Sequence, residues 1–287
     1  MIETLKLYYI LAKPGIIYGN SLSMFAGFFL ASRGDIHLGL LLAVAAGTAL
    51  VIGSGCVFNN YLDREIDKKM ERTKKRGLVS GKIPVPYALA YGTALGAFGF
   101  LILALYTNAL AVAAGVVGIV FYVIIYGVAK RRTHWATVIG SIPGATPPVA
   151  GYVAVTGTFD EAALLLFLIL VIWQMPHFYA ISIFRLKDYK AAGLPVLAAV
   201  RGIETTKMRI LAYVAAFTLI APLLTVFDYT GYVYAVVVAS LGIAWFWKGF
   251  KDFQTADSTA WARKMFGFSL IVLLGWAFIT SVDVWLP

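Results

Sequence analysis

The sequence predicts an all-α polytopic membrane protein, one domain over residues 1–287 with nine transmembrane helices. Three observations lead there. Hydrophobic residues make up 61% of the chain and charged residues 13%, more apolar surface than a soluble domain can hide. Apolar runs of about 20 residues, enough to cross a bilayer as α-helix, recur from end to end. When nine spans are drawn, 23 of the 24 basic residues fall on one side.

The first span, 16–32, opens behind Lys13-Pro14, a pair that also argues against a cleavable signal. The second, 37–60, runs into a charged stretch at 61–84. Spans three and four, 85–106 and 108–129, are joined by a short polar break and end on Lys130-Arg131-Arg132. The fifth, 135–156, contains Gly140, Pro143, Gly144, Pro147, Pro148 and Gly151; it is expected to bend or break, which is tolerated at membrane depth against a cavity or neighbouring helices. The sixth, 161–183, leads into a second long loop at 184–209, and spans seven to nine follow at 210–228, 232–250 and 265–285.

Lys6 and Lys13, both long loops, Lys130 to Arg132, and Lys248 to Lys264 all share one side. The opposite side keeps Arg33 beside Asp35, then Asp160, Glu161, Asp228 and Asp283. Basic residues stay cytoplasmic, so the N-terminus is placed inside and the C-terminus outside. The net charge of +10 is then topological: it meets anionic membrane lipid and calls for no nucleic-acid partner. The single Cys56 rules out a disulfide framework and is read as core packing.

Chemistry concentrates where the second span meets water. Asn59, Asp63 and Asp67 stand four residues apart, on one helix face, with about 6 Å of rise per step. Like charges at this spacing repel unless a cation lies between them. Such an oxygen stack suits Mg²⁺, which takes one or two carboxylates plus substrate phosphates. Lys68, Arg72 and Arg76 follow and suit the phosphates. A charged helix end at a water boundary has the same composition. Tyr126 and Lys130 share a face at the end of span four beside Arg131, either as a second cationic wall or as an interfacial anchor belt. His177 is the histidine placed inside a span, behind Pro176. It is a proton carrier, a metalloporphyrin ligand or a hydrogen-bonded core residue. Arg185, Lys187 and Asp188 follow at the cytoplasmic end of the same span.

Asn59-x-x-x-Asp63-x-x-x-Asp67 with Met70-Glu71-Arg72-Thr73 and Arg76 resembles the first signature of the UbiA superfamily of intramembrane prenyltransferases. More narrowly it is similar to that superfamily's protohaem IX farnesyltransferase (haem O synthase) branch. Lys13-Pro14-Gly15, Lys130-Arg131-Arg132, the glycine and proline pattern of span five, Pro176-His177-Phe178 and Phe184-Arg185-x-x-Asp188-Tyr189 carry the likeness along the chain. The resemblance implies nine helices around a cavity capped by cytoplasmic loops, in a bacterial inner membrane. It implies Mg²⁺ on Asn59, Asp63 and Asp67 as the catalytic metal site. Lys68, Arg72, Arg76, Tyr126, Lys130 and Arg131 would hold the diphosphate of farnesyl diphosphate, and His177, Arg185, Lys187 and Asp188 the acceptor, haem B. A terminal oxidase or its assembly pathway is the implied downstream partner. Quinone-type members carry a second D-x-x-x-D after span six. Here Asp188 stands alone, which favours the haem branch over an aromatic quinone precursor. A transporter is the remaining alternative, but transporter sites lie at mid-depth and these charges gather at one face.

Overall fold

A computed structural model describes residues 2–286, so the C-terminal Pro287, expected outside, lies beyond the described residues. Among them every regular element is helical. A short helix α1 (Ile2–Leu11) precedes the first span, α2 (Pro14–Ser32). α3 (Leu38–Asp67) and α4 (Val85–Tyr106) follow. The fourth span, Ala109–Arg132, comprises α5 (Ala109–Val120), a π-helical turn at Phe121–Ile125 and α6 (Tyr126–Arg132). α7 (Ala136–Thr156) and α8 (Glu161–Phe184) are spans five and six. Two short helices, α9 (Leu186–Ala191) and α10 (Leu197–Val200), sit in the second long loop. α11 (Ile203–Ile220) with α12 (Leu223–Val226), α13 (Tyr232–Lys251) and α14 (Ser258–Val282) complete nine membrane-length segments among the described residues.

α7 corrects the expectation of a broken fifth span: it is continuous, with Pro143, Pro147 and Pro148 inside it. Each proline lacks an N–H for the carbonyl four residues back. The carbonyl that Pro147 leaves unserved, that of Pro143, accepts instead from Thr146 Oγ1 at 2.9 Å. Gln174 Nε2 of α8 donates to the carbonyl of Ser141 at 3.1 Å. The helix is also enclosed by others, packing on α2, α8 and α5, which keeps its irregular backbone away from lipid.

The contact of α2 with α7 requires glycine. A Cβ on Gly27 would fall 2.8 Å from the carbonyl carbon of Pro148, and one on Gly151 would fall 2.9 Å from Phe28 N. Close backbone approach at small residues holds helices together where lipid gives no hydrophobic contrast. Outward faces carry exposed Leu42, Phe98, Leu101, Leu219, Val236 and Phe278, the lipid-facing surface.

Three spans begin or end farther toward the basic end of the bundle than the apolar runs suggest. α3 continues through Asp67. α11 begins at Ile203 rather than near 210 because Lys207 is fully buried. Its ammonium donates to the carbonyl of Phe253, reaches Glu204 at 3.3 Å and lies over the rings of Phe253 and Trp261. α14 begins at Ser258 rather than 265, with Asp257 accepting from Ala260 N at 2.9 Å as its N-cap. At the other face, Arg33, Asp228 and Asp283 line one cavity of about 260 Å³. Tyr229 there donates to Glu161. The few charges assigned to the non-cytoplasmic side thus do gather at one end of the bundle.

Gly27→Val or Gly151→Val drives a side chain into backbone that cannot rotate away. Each should cost at least about 1–3 kcal/mol and lower the unfolding temperature in detergent, whereas a valine at exposed Gly15, with nothing within 4 Å of a new Cβ, should not.

Candidate active site

The last two turns of α3 place Asn59, Asp63 and Asp67 on one face. Asn59 and Asp67 are buried, and the Asp63 side chain is 14% exposed. The carboxylates do not wait for a bound cation, as the spacing alone suggested; each has its own protein cation. Lys130 Nζ of α6 lies 2.6 Å from Asp63 Oδ2, with Arg131 Nη2 at 3.6 Å from Oδ1. Arg76 Nη1, from the loop after α3, lies 2.6 Å from Asp67 Oδ2.

Lys130 reaches Asp63 from beyond the π-helical turn. One extra residue is taken up at Phe121–Ile125, and such turns concentrate at functional sites. Tyr122 and Tyr126 then stack with centroids 6.0 Å apart and an interplanar angle of 5°. Lys130 Nζ sits 5.0 Å from the Tyr126 ring centroid. Sequence reading placed Tyr126, Lys130 and Arg131 near the site but gave no sign of this turn.

Two further residues join that sequence reasoning left out of the site. Lys13 has φ 55° and ψ 67°, a left-handed conformation costing a non-glycine residue about 1–3 kcal/mol. It turns the chain between α1 and α2 and brings Nζ to 3.1 Å from Asn59 Oδ1. Burial, with the charges of Arg76 and Lys130, pulls the Lys13 ammonium down to about 8. Asn60 accepts from Arg76 Nη1 at 3.1 Å and donates to the carbonyl of Leu11 at 2.8 Å. It thereby ties α1, α3 and the loop. The doublet Asn59-Asn60 in an apolar run was the available signal.

The loop folds back by Thr73 Oγ1 donating to the carbonyl of Asp67 at 3.0 Å, with Met70, Leu78 and Ile83 buried beneath. Lys68 is not brought to the carboxylates: it points outward, 53% exposed, and pairs with Glu65 at 2.9 Å. Arg72 is exposed on the loop, and its charge acts on Tyr189, whose phenol burial pushes up. Glu71 is held low first by the hydrogen bond from Lys74 and then by charges that include Lys187. The two long loops therefore face each other. Arg185 lies over Phe184 at 5.6 Å.

His177 has a protein partner on one of its ring nitrogens. Its Nδ1 is 2.8 Å from Ser269 Oγ of α14, and its ring packs on Trp173 at 5.1 Å and Phe266 at 4.7 Å.

Among the described residues no three His, Cys, Asp or Glu side chains converge as a full metal cage. The donors present are two carboxylates and an amide, the sparse oxygen set that fits Mg²⁺ completed by waters and substrate phosphates. Asp63 Oδ1 is enclosed yet accepts no hydrogen bond, the Arg131 guanidinium standing off at 3.6 Å, and keeps a lone pair for a closer ligand. Asp63 and Asp67 fit such an ion directly. The Asn59 oxygen is engaged by Lys13, and its Nδ2 has no partner.

Residues 21–271 match the UbiA prenyltransferase family. A protein of Yersinia pseudotuberculosis named "Protoheme IX farnesyltransferase" is 48% identical over 280 residues, covering 97% of this chain and 95% of its own. One of the same name from Citrobacter koseri is 48% identical over 283 residues, covering 98% and 96%. Among solved structures, a digeranylgeranylglyceryl phosphate synthase aligns with TM-score 0.81 at 21% identity, over 98% of this chain and 99% of that one. A UbiA homolog of Archaeoglobus fulgidus bound to DMAPP and Mg²⁺ aligns with TM-score 0.68 at 17% identity, over 96% and 98%.

Arg76→Met would strand the Asp67 carboxylate. Because Arg76 is 27% exposed and Asp67 3%, the loss should fall toward the lower end of the about 3–5 kcal/mol typical of a broken buried pair. Asp67→Asn in the same chain should recover most of it, as read by thermal unfolding in detergent.

Proposed function

Since the chain belongs to the UbiA prenyltransferase family, we propose that it transfers the farnesyl group of farnesyl diphosphate to a vinyl group of haem B, giving haem O. The observation that carries this reading is 48% identity, over almost the full length of both chains, to proteins named for that reaction. The geometry supports it. An otherwise apolar bundle ends in one cluster of carboxylates and cations, suited to a diphosphate whose hydrocarbon tail lies in the membrane.

Asp63 and Asp67 would hold Mg²⁺, with Asn59 beside them. Bound there, the metal supplies positive charge to the departing diphosphate. Lys130, Arg131, Arg76 and Lys13 already converge on these residues, Tyr126 lies against Lys130, and Arg72 would join them from the loop. Their donors meet phosphate oxygens and stabilise negative charge as the allylic C–O bond breaks. The apolar helices exclude water that would trap the allylic cation. The haem vinyl carbon attacks C1 of the farnesyl chain, diphosphate leaves, and water adds to the cation beside the porphyrin with loss of a proton. Arg185 and Lys187 pair with the propionates, and His177 and Asp188 belong to the acceptor side. Lys68, turned outward, contributes only to the general positive potential. A quinone precursor as acceptor is disfavoured by the single Asp188 where a D-x-x-x-D would be needed. The setting is a bacterial inner membrane with the basic loops cytoplasmic, and a terminal oxidase is the consumer of the product.

Purified protein incubated with haem B, farnesyl diphosphate and Mg²⁺ should yield haem heavier by a farnesyl group plus a hydroxyl. Unchanged haem alongside a prenylated aromatic acid would replace the reading. Asp63→Asn and Asp67→Asn should each abolish turnover with the fold retained; near-native rates in both at saturating Mg²⁺ would remove the metal site. Arg72→Ala should raise the KM for farnesyl diphosphate more than that for haem B; the reverse pattern reassigns Arg72 to the propionates. A reporter fused at the C-terminus should respond as external.

A further inference from the structure

His177 and Ser269 form two short contacts that share too few hydrogens. Ser269 Oγ lies 2.8 Å from His177 Nδ1 and 2.6 Å from the carbonyl oxygen of Phe266. Heavy polar atoms approach this closely only with a hydrogen between them. The serine hydroxyl has one, and the carbonyl has none. The hydroxyl satisfies the shorter contact by donating to Phe266, so the second hydrogen must stand on His177 Nδ1, donated to Ser269 Oγ. A neutral imidazole carries one ring hydrogen, so Nε2 is left as a bare lone pair. Trp173, stacked on the ring at 5.1 Å with an interplanar angle of 27°, also donates from Nε1 to the Ser269 carbonyl at 2.9 Å. Phe266 closes on the ring at 4.7 Å. Rotation of the imidazole is blocked on both faces.

No protein donor reaches Nε2 among the described residues. The enclosed polar atoms without a partner there are Thr48 Oγ1, Asn59 Nδ2 and Asp63 Oδ1. Nε2 is not one of them, so the ring edge that carries it reaches open space, as the part-buried state of His177 agrees. A bare, oriented imidazole nitrogen whose other nitrogen donates to a fixed oxygen is the arrangement found in metal-ligating histidines.

We propose that Ser269 is a positioning residue that locks His177 in the Nδ1–H tautomer, so that Nε2 can ligate the iron of the porphyrin acceptor. This rests on haem B being the acceptor. The coordination bond forms by donation of the Nε2 pair to iron, with no change of oxidation state and no proton released. Anchoring at the iron would leave the ring's edge, where the vinyl groups stand, free to meet the farnesyl chain.

The test compares haem B with metal-free protoporphyrin IX on detergent-purified protein, by absorption titration. Wild type should bind haem B at least about tenfold more tightly than the metal-free ring and show a nitrogen-ligand shift of the Soret band. His177→Ala should lose both the preference and the shift, and added imidazole should restore the shift. Ser269→Ala should reduce the preference several-fold, and Ser269→Thr, which keeps the hydroxyl, should restore it; a purely structural serine would change melting temperature without changing the preference. If wild type farnesylates haem B yet His177→Ala keeps the Soret shift, or if wild type binds both rings equally, the inference fails and the functional reading stands. If haem B is neither bound nor farnesylated, both fail.

Discussion

Two carboxylates one helical turn apart, at the boundary between a low-dielectric bundle and water, set the constraint on the rest of the structure. Asp63 and Asp67 repel each other, and enclosing two carboxylates there is costly unless each is paired. The chain meets the demand from separate directions, with Lys130 at 2.6 Å from Asp63 and Arg76 at 2.6 Å from Asp67. These pairs fix where the fourth span must end and how the first long loop must fold. Lys13 and Asn60 extend the same network to α1 and α2. The site thus holds more cations than carboxylates in its resting state, with the groups that suit an anionic leaving group already next to those that suit its metal.

Behind this polar end lies a bundle whose cohesion comes from backbone proximity and internally satisfied hydrogen bonds. Gly27 and Gly151 let α2 and α7 approach to backbone contact. Thr146 and Gln174 replace or reinforce bonds in a helix that contains three prolines. Lys207 shows how even an ammonium can be enclosed when a carbonyl, a carboxylate and two aromatic rings surround it. Each device answers the same requirement: no polar group may face lipid alone.

The number of spans, their order and the side on which charge gathers were legible because hydropathy and basic-residue placement are properties of the sequence itself. So was the Asn59, Asp63 and Asp67 stack, since helical spacing needs only counting. The unbroken α7 was not legible: proline and glycine forecast a break, and the compensating Thr146 bond depends on a rotamer. The early start of α11 was hidden because Lys207 and Arg209 read as loop charges until a cage for Lys207 is seen. Lys68 looked equivalent to Lys130 as a cation, yet one points to Glu65 and water and the other to Asp63. Direction around a helix axis decides this, and composition does not contain it.

The π-helical turn at Phe121–Ile125 bears on how the chain can change over evolutionary time. A residue added or removed in an α-helix rotates everything beyond it by about 100°. The π-helical turn absorbs its extra residue locally, so a deletion inside it that let the turn relax to regular helix would leave Lys130 aimed close to where it is. A residue removed from the regular helix between that turn and Lys130 would instead swing Lys130 away from Asp63 while composition, hydropathy and span length stayed nearly the same. The turn is thus the one stretch of this helix whose length can change without moving the site.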